Sequence, residues 1–101
     1  MFVATAEERM IPGRRLELEA AHHDAVAWLG KEPGFLSGRL LHFAGGPYRY
    51  FYEMNWSSRE EWERFWESDR FTRLRELIDG QLAEPFTLTL YNVLTVEKIG
   101  K

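Results

Sequence analysis

The sequence contains no cysteine. That excludes disulfides, thiolate metal sites, iron–sulfur clusters and a cysteine nucleophile. It also has no apolar run near the roughly 18 residues that a membrane-spanning helix needs. Basic excess is missing as well: 13 Lys and Arg stand against 16 Asp and Glu, a formal net charge of −3. A mildly acidic domain lacks the basic footprint of a nucleic-acid partner. The opening MFVATAEERM has no basic region, apolar stretch and small-residue cleavage site in the order of a secretion signal. The expectation is a cytoplasmic protein with neither membrane nor nucleic acid as partner.

The chain is abundant in aromatic residues. Of 101 residues, 15% are aromatic, with 4 Trp, 4 Tyr and 7 Phe. So many rings in a short chain suggest a large core, a pocket or an interface. Hydrophobic residues make up 45% and charged residues 29%, the balance of a globular domain rather than a disordered one. The length fits one domain, taken as 1–101.

Glycine and proline cut the chain at Pro12-Gly13, Pro33-Gly34, Gly45-Gly46-Pro47, Gly80 and Pro85. Six segments result. Phe2 to about Met10, with Val3 and Thr5, reads as a strand. From Pro12-Gly13 to about Lys31, Leu18, His22, Ala25 and Leu29 recur at helical spacing. Phe35–Phe43 and Tyr48–Trp56 flank a tight turn and read as an antiparallel hairpin. Ser57 with Glu60, or Ser58 with Glu61, has capping-box spacing and opens a second helix. Ser68-Asp69 is a candidate break or second cap within it. Phe71, Leu74, Ile78 and Leu82 continue its apolar stripe to Pro85. Thr87–Glu97 is rich in β-formers and reads as the last strand.

Strand, helix, strand, strand, helix, strand is the order of an α+β, ferredoxin-like split β-α-β fold. It predicts an antiparallel sheet with both helices on one face. Alternation puts Tyr48, Tyr50, Tyr52, Met54 and Trp56 on one side of the third strand and Arg49, Phe51, Glu53 and Asn55 on the other. In the last strand, Tyr91 alternates with Leu90 and Asn92. Neither face is a plain row of charges, so a second sheet from another copy is expected to cover the open side. That predicts a homodimer with an isologous interface.

Pro33-Gly34-Phe35-Leu36-Ser37, the strand ending Asn55-Trp56-Ser57-Ser58, Trp66-Glu67-Ser68-Asp69-Arg70-Phe71 and the early Pro12-Gly13 together resemble the antibiotic biosynthesis monooxygenase family. The likeness covers nearly the whole chain. It implies a dimeric α+β barrel with a pocket between sheet and helices in each subunit. Some members of that family oxidise phenols or quinols with molecular oxygen and neither metal nor flavin. Others degrade haem, and others have no established activity.

The resemblance transfers unevenly. In polyketide-oxidising members, the Trp that closes the third strand lines the pocket, and Trp56 matches it. An Asn four residues earlier is replaced here by Tyr52, and a Tyr six residues later by Trp62. The haem-degrading pattern fails. The first strand carries Thr5-Ala6-Glu7-Glu8 with no Asn, Phe65 stands at the Trp position, and Arg75 replaces the ligand His. A guanidinium is no neutral donor to iron.

The expected catalytic positions are Tyr52 and Trp56, with His42 as a possible base near neutral pH. Tyr50, Trp62, Trp66 and Tyr91 are the expected substrate-binding positions. Each also has a plain structural role open to it, as a core ring or a surface histidine. Glu19 and His22 share the Glu-x-x-His spacing of di-iron carboxylate sites, but no second copy of the motif exists. No metal or other cofactor is expected. The leading expectation is a cofactor-independent monooxygenase of a small aromatic molecule. A non-oxidative isomerase or cyclase on the same scaffold, or a binding module without turnover, are the alternatives.

Overall fold

Strand β1 (Phe2–Arg9) alternates buried and half-buried residues and forms the middle of the sheet. Its inward side chains are Phe2, Ala4, Ala6 and Glu8. The fold is described here for residues 1–96 of a computed structural model. After β1 come α1 (Arg15–Leu29), the hairpin β2 (Phe35–His42) and β3 (Arg49–Trp56), then α2 (Arg59–Trp66), α3 (Asp69–Asp79) and β4 (Thr87–Asn92). The four strands lie in the order β2-β3-β1-β4, every pair antiparallel. This is the expected α+β, ferredoxin-like architecture.

The boundaries follow local chemistry. Pro12-Gly13 does not open α1 as expected; it forms a turn before it, with Gly13 at φ +86°. The helix then ends at Leu29, two residues before Lys31. Ser58 caps α2, its hydroxyl accepting from the Glu61 backbone N–H at 3.2 Å. Ser68 separates α2 from α3, and its hydroxyl donates to the Phe65 carbonyl at 2.7 Å. The second helical segment is therefore two helices, divided where Ser68-Asp69 offered a second cap. Gly34 takes φ +84°, and a Cβ there would collide with the Glu61 side chain. That close approach fixes the β2 entrance against α2.

β4 is shorter than the Thr87–Glu97 strand expected from propensity. Its last pair with β1 is Phe2 with Asn92. One further contact, from the Val93 N–H to the Met1 carbonyl at 3.1 Å, closes the ladder. Leu94 and Val96 then project into solvent at 90% and 68% exposure. Glu97 lies outside the described residues.

The core sits between the sheet and the helices. Tyr50, Tyr52, Met54 and Trp56 of β3 meet Leu18, Ala21, Ala25 and Leu29 of α1 and Trp62, Phe65, Phe71, Leu74 and Ile78 of α2 and α3. Alanines stand where helix and sheet approach closely. The other sheet face carries no helix. It presents Phe51, half-buried, with Leu41, Phe43 and Tyr91 more exposed. Two ion pairs cross it, Arg49 to Glu7 at 2.5 Å and Arg39 to Glu53 at 3.2 Å. Among the described residues, no helix is long and apolar enough to cross a membrane.

Candidate functional site

The inward row of β3 places Trp56 in an aromatic cluster beneath the helices. Trp56 is fully buried. Its ring stacks on Phe65 at 5.2 Å between centroids and meets Phe35 and Trp62 edge-on at 5.3 and 5.8 Å. Trp62 continues to Trp66 at 5.9 Å, and Trp66 to Phe71 at 4.6 Å. Trp62 and Trp66 do not play one role. Trp62 is buried, whereas Trp66 is 46% exposed. Both line a cleft of about 290 Å³ with Arg59, Glu63, Glu67 and Leu90. Through Trp62, this cleft adjoins the buried layer around Trp56.

A second group occupies the same layer over β1 and β3. Glu8 lies at a core position of β1 and is buried. Its Oε1 is 2.8 Å from Nε2 of His22, which α1 turns inward at the spacing of Leu18 and Ala25. The His22 ring packs on Tyr52 with centroids 4.5 Å apart. Three buried polar atoms in this layer find no hydrogen-bond partner among the described residues: Nδ1 of His22, the Tyr52 hydroxyl and Nε1 of Trp56. Burial, aided by the Glu8 charge, pushes the Tyr52 phenol up to about 12. Tyr52 therefore stays a neutral hydroxyl across the physiological range.

Gly38 explains where that hydroxyl goes. A Cβ on Gly38 would lie 2.5 Å from the Tyr52 oxygen and 3.0 Å from Cζ. The missing side chain on β2 is the space that the tyrosine tip fills.

The other expected site residues are dispersed. Tyr50 is buried and stacks on His42 at 4.6 Å. His42 itself is exposed near the hairpin turn, with Nε2 3.1 Å from the Pro47 carbonyl oxygen. It contacts Tyr50 rather than Tyr52, so the buried imidazole beside the candidate site is that of His22. Tyr91 pairs with Val3 on the uncovered sheet face, opposite the row that carries Tyr52 and Trp56. It is a surface residue of this chain, 50% exposed, and cannot share a pocket with that row inside one subunit.

Glu8 and His22 were the residues that sequence reasoning missed as a pair. The available signal was Glu8 at the same strand parity as Phe2, Ala4 and Ala6. The Glu19–His22 spacing does not make a metal site: Glu19 faces outward and accepts from Arg15 at 2.9 Å. Among the described residues, no three His, Asp or Glu side chains cluster to hold a metal ion. Arg75, at the position of the haem-ligand histidine, donates to the Phe86 carbonyl at 3.3 Å and braces α3 against the lead into β4. A larger depression, about 560 Å³, lies on the outside of α1 and α3 among Asp24, Trp28, Arg73, Glu76 and Leu77. Its lining mixes Trp28 and Leu77 with three charged side chains and includes none of the expected site residues.

Comparison with known proteins agrees with this architecture. A search of curated proteins gave no significant sequence match. Among solved structures, a Bordetella bronchiseptica protein named for the antibiotic biosynthesis monooxygenases superimposes with a TM-score of 0.82 at 22% identity, covering 93% of this chain and 97% of that one. SnoaB of Streptomyces nogalater, described as a cofactor-independent oxygenase, gives 0.76 at 16% identity, covering 94% and 95%. Rv0793 of Mycobacterium tuberculosis gives 0.78 at 20% identity, covering 96% and 98%. These identities speak for the fold. The model of one family, antibiotic biosynthesis monooxygenase, matches residues 1–77. With the match spanning most of the chain and the same fold in those structures, the chain belongs to the antibiotic biosynthesis monooxygenase family.

Proposed function

We propose that this protein is a monooxygenase that uses molecular oxygen, without metal or flavin, on a small aromatic phenol, quinol or polyketide-like compound. The observation that carries the reading is the buried layer that holds Tyr52 and Trp56, whose hydroxyl and Nε1 have no hydrogen-bond partner among the described residues. Aromatic walls suit a planar ring, and a few fixed hydrogen-bonding groups orient it. Family membership and the described activity of SnoaB support the reaction class.

The chemistry needs little from the protein beyond binding and desolvation. A phenol, or a methylene held between aromatic rings, loses a proton and becomes electron-rich. One electron passes to oxygen, and the radical pair recombines as a C–O bond. The peroxide takes up a proton. At a methylene it then loses water to leave a carbonyl. The sum is CH2 plus O2 giving C=O plus H2O, so no outside reductant is required. Tyr52 and Trp56 orient the substrate, and Trp62 and Trp66 form the approach from the surface cleft.

The working unit in this reading is a cytoplasmic homodimer. The uncovered sheet face supports it, with Phe51, Leu41, Phe43 and Tyr91 beside two ion pairs. The exposed apolar tail at Leu94 and Val96, left without a strand partner, supports it too. Two such faces packed together would make an isologous barrel.

A panel of hydroquinones, anthrones and naphthols tests the proposal by oxygen uptake with metal-stripped protein, against heat-denatured controls. Uptake with an oxygenated product is expected. Trp56→Phe and Tyr52→Phe should then reduce turnover; unchanged turnover would remove these residues from the site. The tight packing of Trp56 favours one second reading, a binding module without turnover. It would appear as ligand-induced thermal stabilisation with no product.

A further inference from the structure

The interior between β1, β3 and α1 holds a carboxylate and an imidazole that the fold does not need for packing. Glu8 and His22 are 1% and 4% exposed, and 2.8 Å separates Oε1 from Nε2. An ionised carboxylate only accepts, so Nε2 is the nitrogen that carries the hydrogen and donates. The second ring nitrogen, Nδ1, is then the one left for chemistry. It is buried and has no partner among the described residues. The Tyr52 ring lies against the same imidazole, and its hydroxyl is likewise buried and unpaired. An unpaired buried polar group costs about 1–3 kcal/mol, and several in one layer of a native core call for an explanation beyond packing.

The arrangement is that of a base with an orienting carboxylate behind it. A carboxylate on one imidazole nitrogen fixes the tautomer, raises the basicity of the other and stabilises the imidazolium once formed. A neutral hydroxyl beside it complements an oxyanion. The geometry points to His22 as the general base that takes the phenolic or enolic proton at Nδ1. Glu8 is its positioning residue, and Tyr52 is the hydrogen-bond donor to the resulting anion. The identity of the substrate as a phenol or enol rests on the oxygenase reading above; the proton transfer does not require oxygen. The bond broken is substrate O–H or C–H, the bond formed is Nδ1–H, and the electron pair stays on the substrate. His22 is sealed in this structure, so binding must part the Tyr52 ring from the imidazole. Tyr52 remains protonated in that setting, because burial and the Glu8 charge both oppose its ionisation.

Two measurements on this chain test the assignment without turnover. Nitrogen-15 NMR of labelled histidine, assigned with His22→Gln, should show Nε2 protonated and Nδ1 bare near neutral pH. Glu8→Gln should convert that signature to a mixture of tautomers. An imidazolium, or the opposite tautomer, in the wild type would overturn the proposal. The second probe is 4-nitrophenol, followed by absorbance about one pH unit below its own pKa. Saturated wild-type protein should hold it as the phenolate, with His22→Gln lowering the phenolate fraction about tenfold. No phenolate on the wild type, or an equal fraction on the variant, would overturn it. Phenolate formation without oxygen uptake on any substrate would sink the oxygenase reading and leave the base assignment standing.

Discussion

Gly38→Ala and Tyr52→Phe together provide the sharpest test of the interior packing. The added methyl in Gly38→Ala would lie 2.5 Å from the Tyr52 oxygen, 3.0 Å from its Cζ and 3.2 Å from the Phe35 ring. Overpacking of this kind costs about 1–3 kcal/mol. Alanine is the better strand residue by roughly 0.5–1 kcal/mol, which offsets part of that. The expected net loss is therefore about 0.5–2 kcal/mol. Tyr52→Phe removes a hydroxyl that has no partner among the described residues, so its own effect should stay within about 1 kcal/mol of zero. In the double variant the nearest obstacle has gone, and the remaining contacts need a shift of only a few tenths of an ångström. Gly38→Ala should then cost close to nothing. Its penalty in the two backgrounds should differ by about 0.5–2 kcal/mol, against the roughly 0.3–0.5 kcal/mol expected of independent sites. Urea unfolding of all four proteins, at one fixed protomer concentration, measures the cycle. Additivity would refute the placement of the tyrosine tip over Gly38. A loss well above 1.5 kcal/mol in Tyr52→Phe alone would show that the hydroxyl is already bonded.

Three other outcomes are expected. Gly34 and Gly13 both have positive φ, but only Gly34 has a neighbour in the way of a side chain; alanine should cost about 1 kcal/mol at Gly13 and roughly 2–4 at Gly34, read as midpoint shifts of about 4–8 °C per kcal/mol. Equal shifts would contradict the packing of the Pro33-Gly34 turn on α2. The Tyr52 phenol, pushed up from 10.0 to about 12, favours the folded state fully below pH 10. That contribution, about 2–3 kcal/mol, should fade as pH rises toward 12 in the wild type and be missing from Tyr52→Phe, as pH-dependent unfolding would reveal. Phe51→Lys, on the uncovered sheet face, should convert the proposed dimer to a monomer in sedimentation or light scattering; a monomeric wild type would refute the dimer, and an unchanged dimer mass would place its interface elsewhere.

The order of elements was legible because glycine and proline punctuate it and because β3 alternates so cleanly. Ser68-Asp69 could be read as a second cap because serine and aspartate favour helix starts. The end of β4 was not legible: propensity runs on through Val96, but the ladder with β1 ends at the Phe2–Asn92 pair and one contact from Val93 to Met1. Tyr52 and Trp56 could be placed on one face by parity alone. Tyr91 could not be placed relative to them, since its side depends on the register of β4 against β1. His42 attracted attention as a strand histidine, yet the turn leaves it exposed and stacked on Tyr50. His22 looked like a core-spaced helix residue, and Glu8 stood in a first-strand stretch read only for its lack of an asparagine. Their pairing is made by topology, which lays α1 across β1, and no local pattern announces it.

The central claim is that this chain inserts oxygen from O2 into an aromatic substrate with no cofactor. Turnover of an anthrone under oxygen-18 gas, by metal-free protein, tests it most directly. The account predicts one labelled atom in the new carbonyl and the other in water, with one O2 consumed per product and no product under argon. Label absent from the initial product, or the same product formed at the same rate without oxygen, would contradict it.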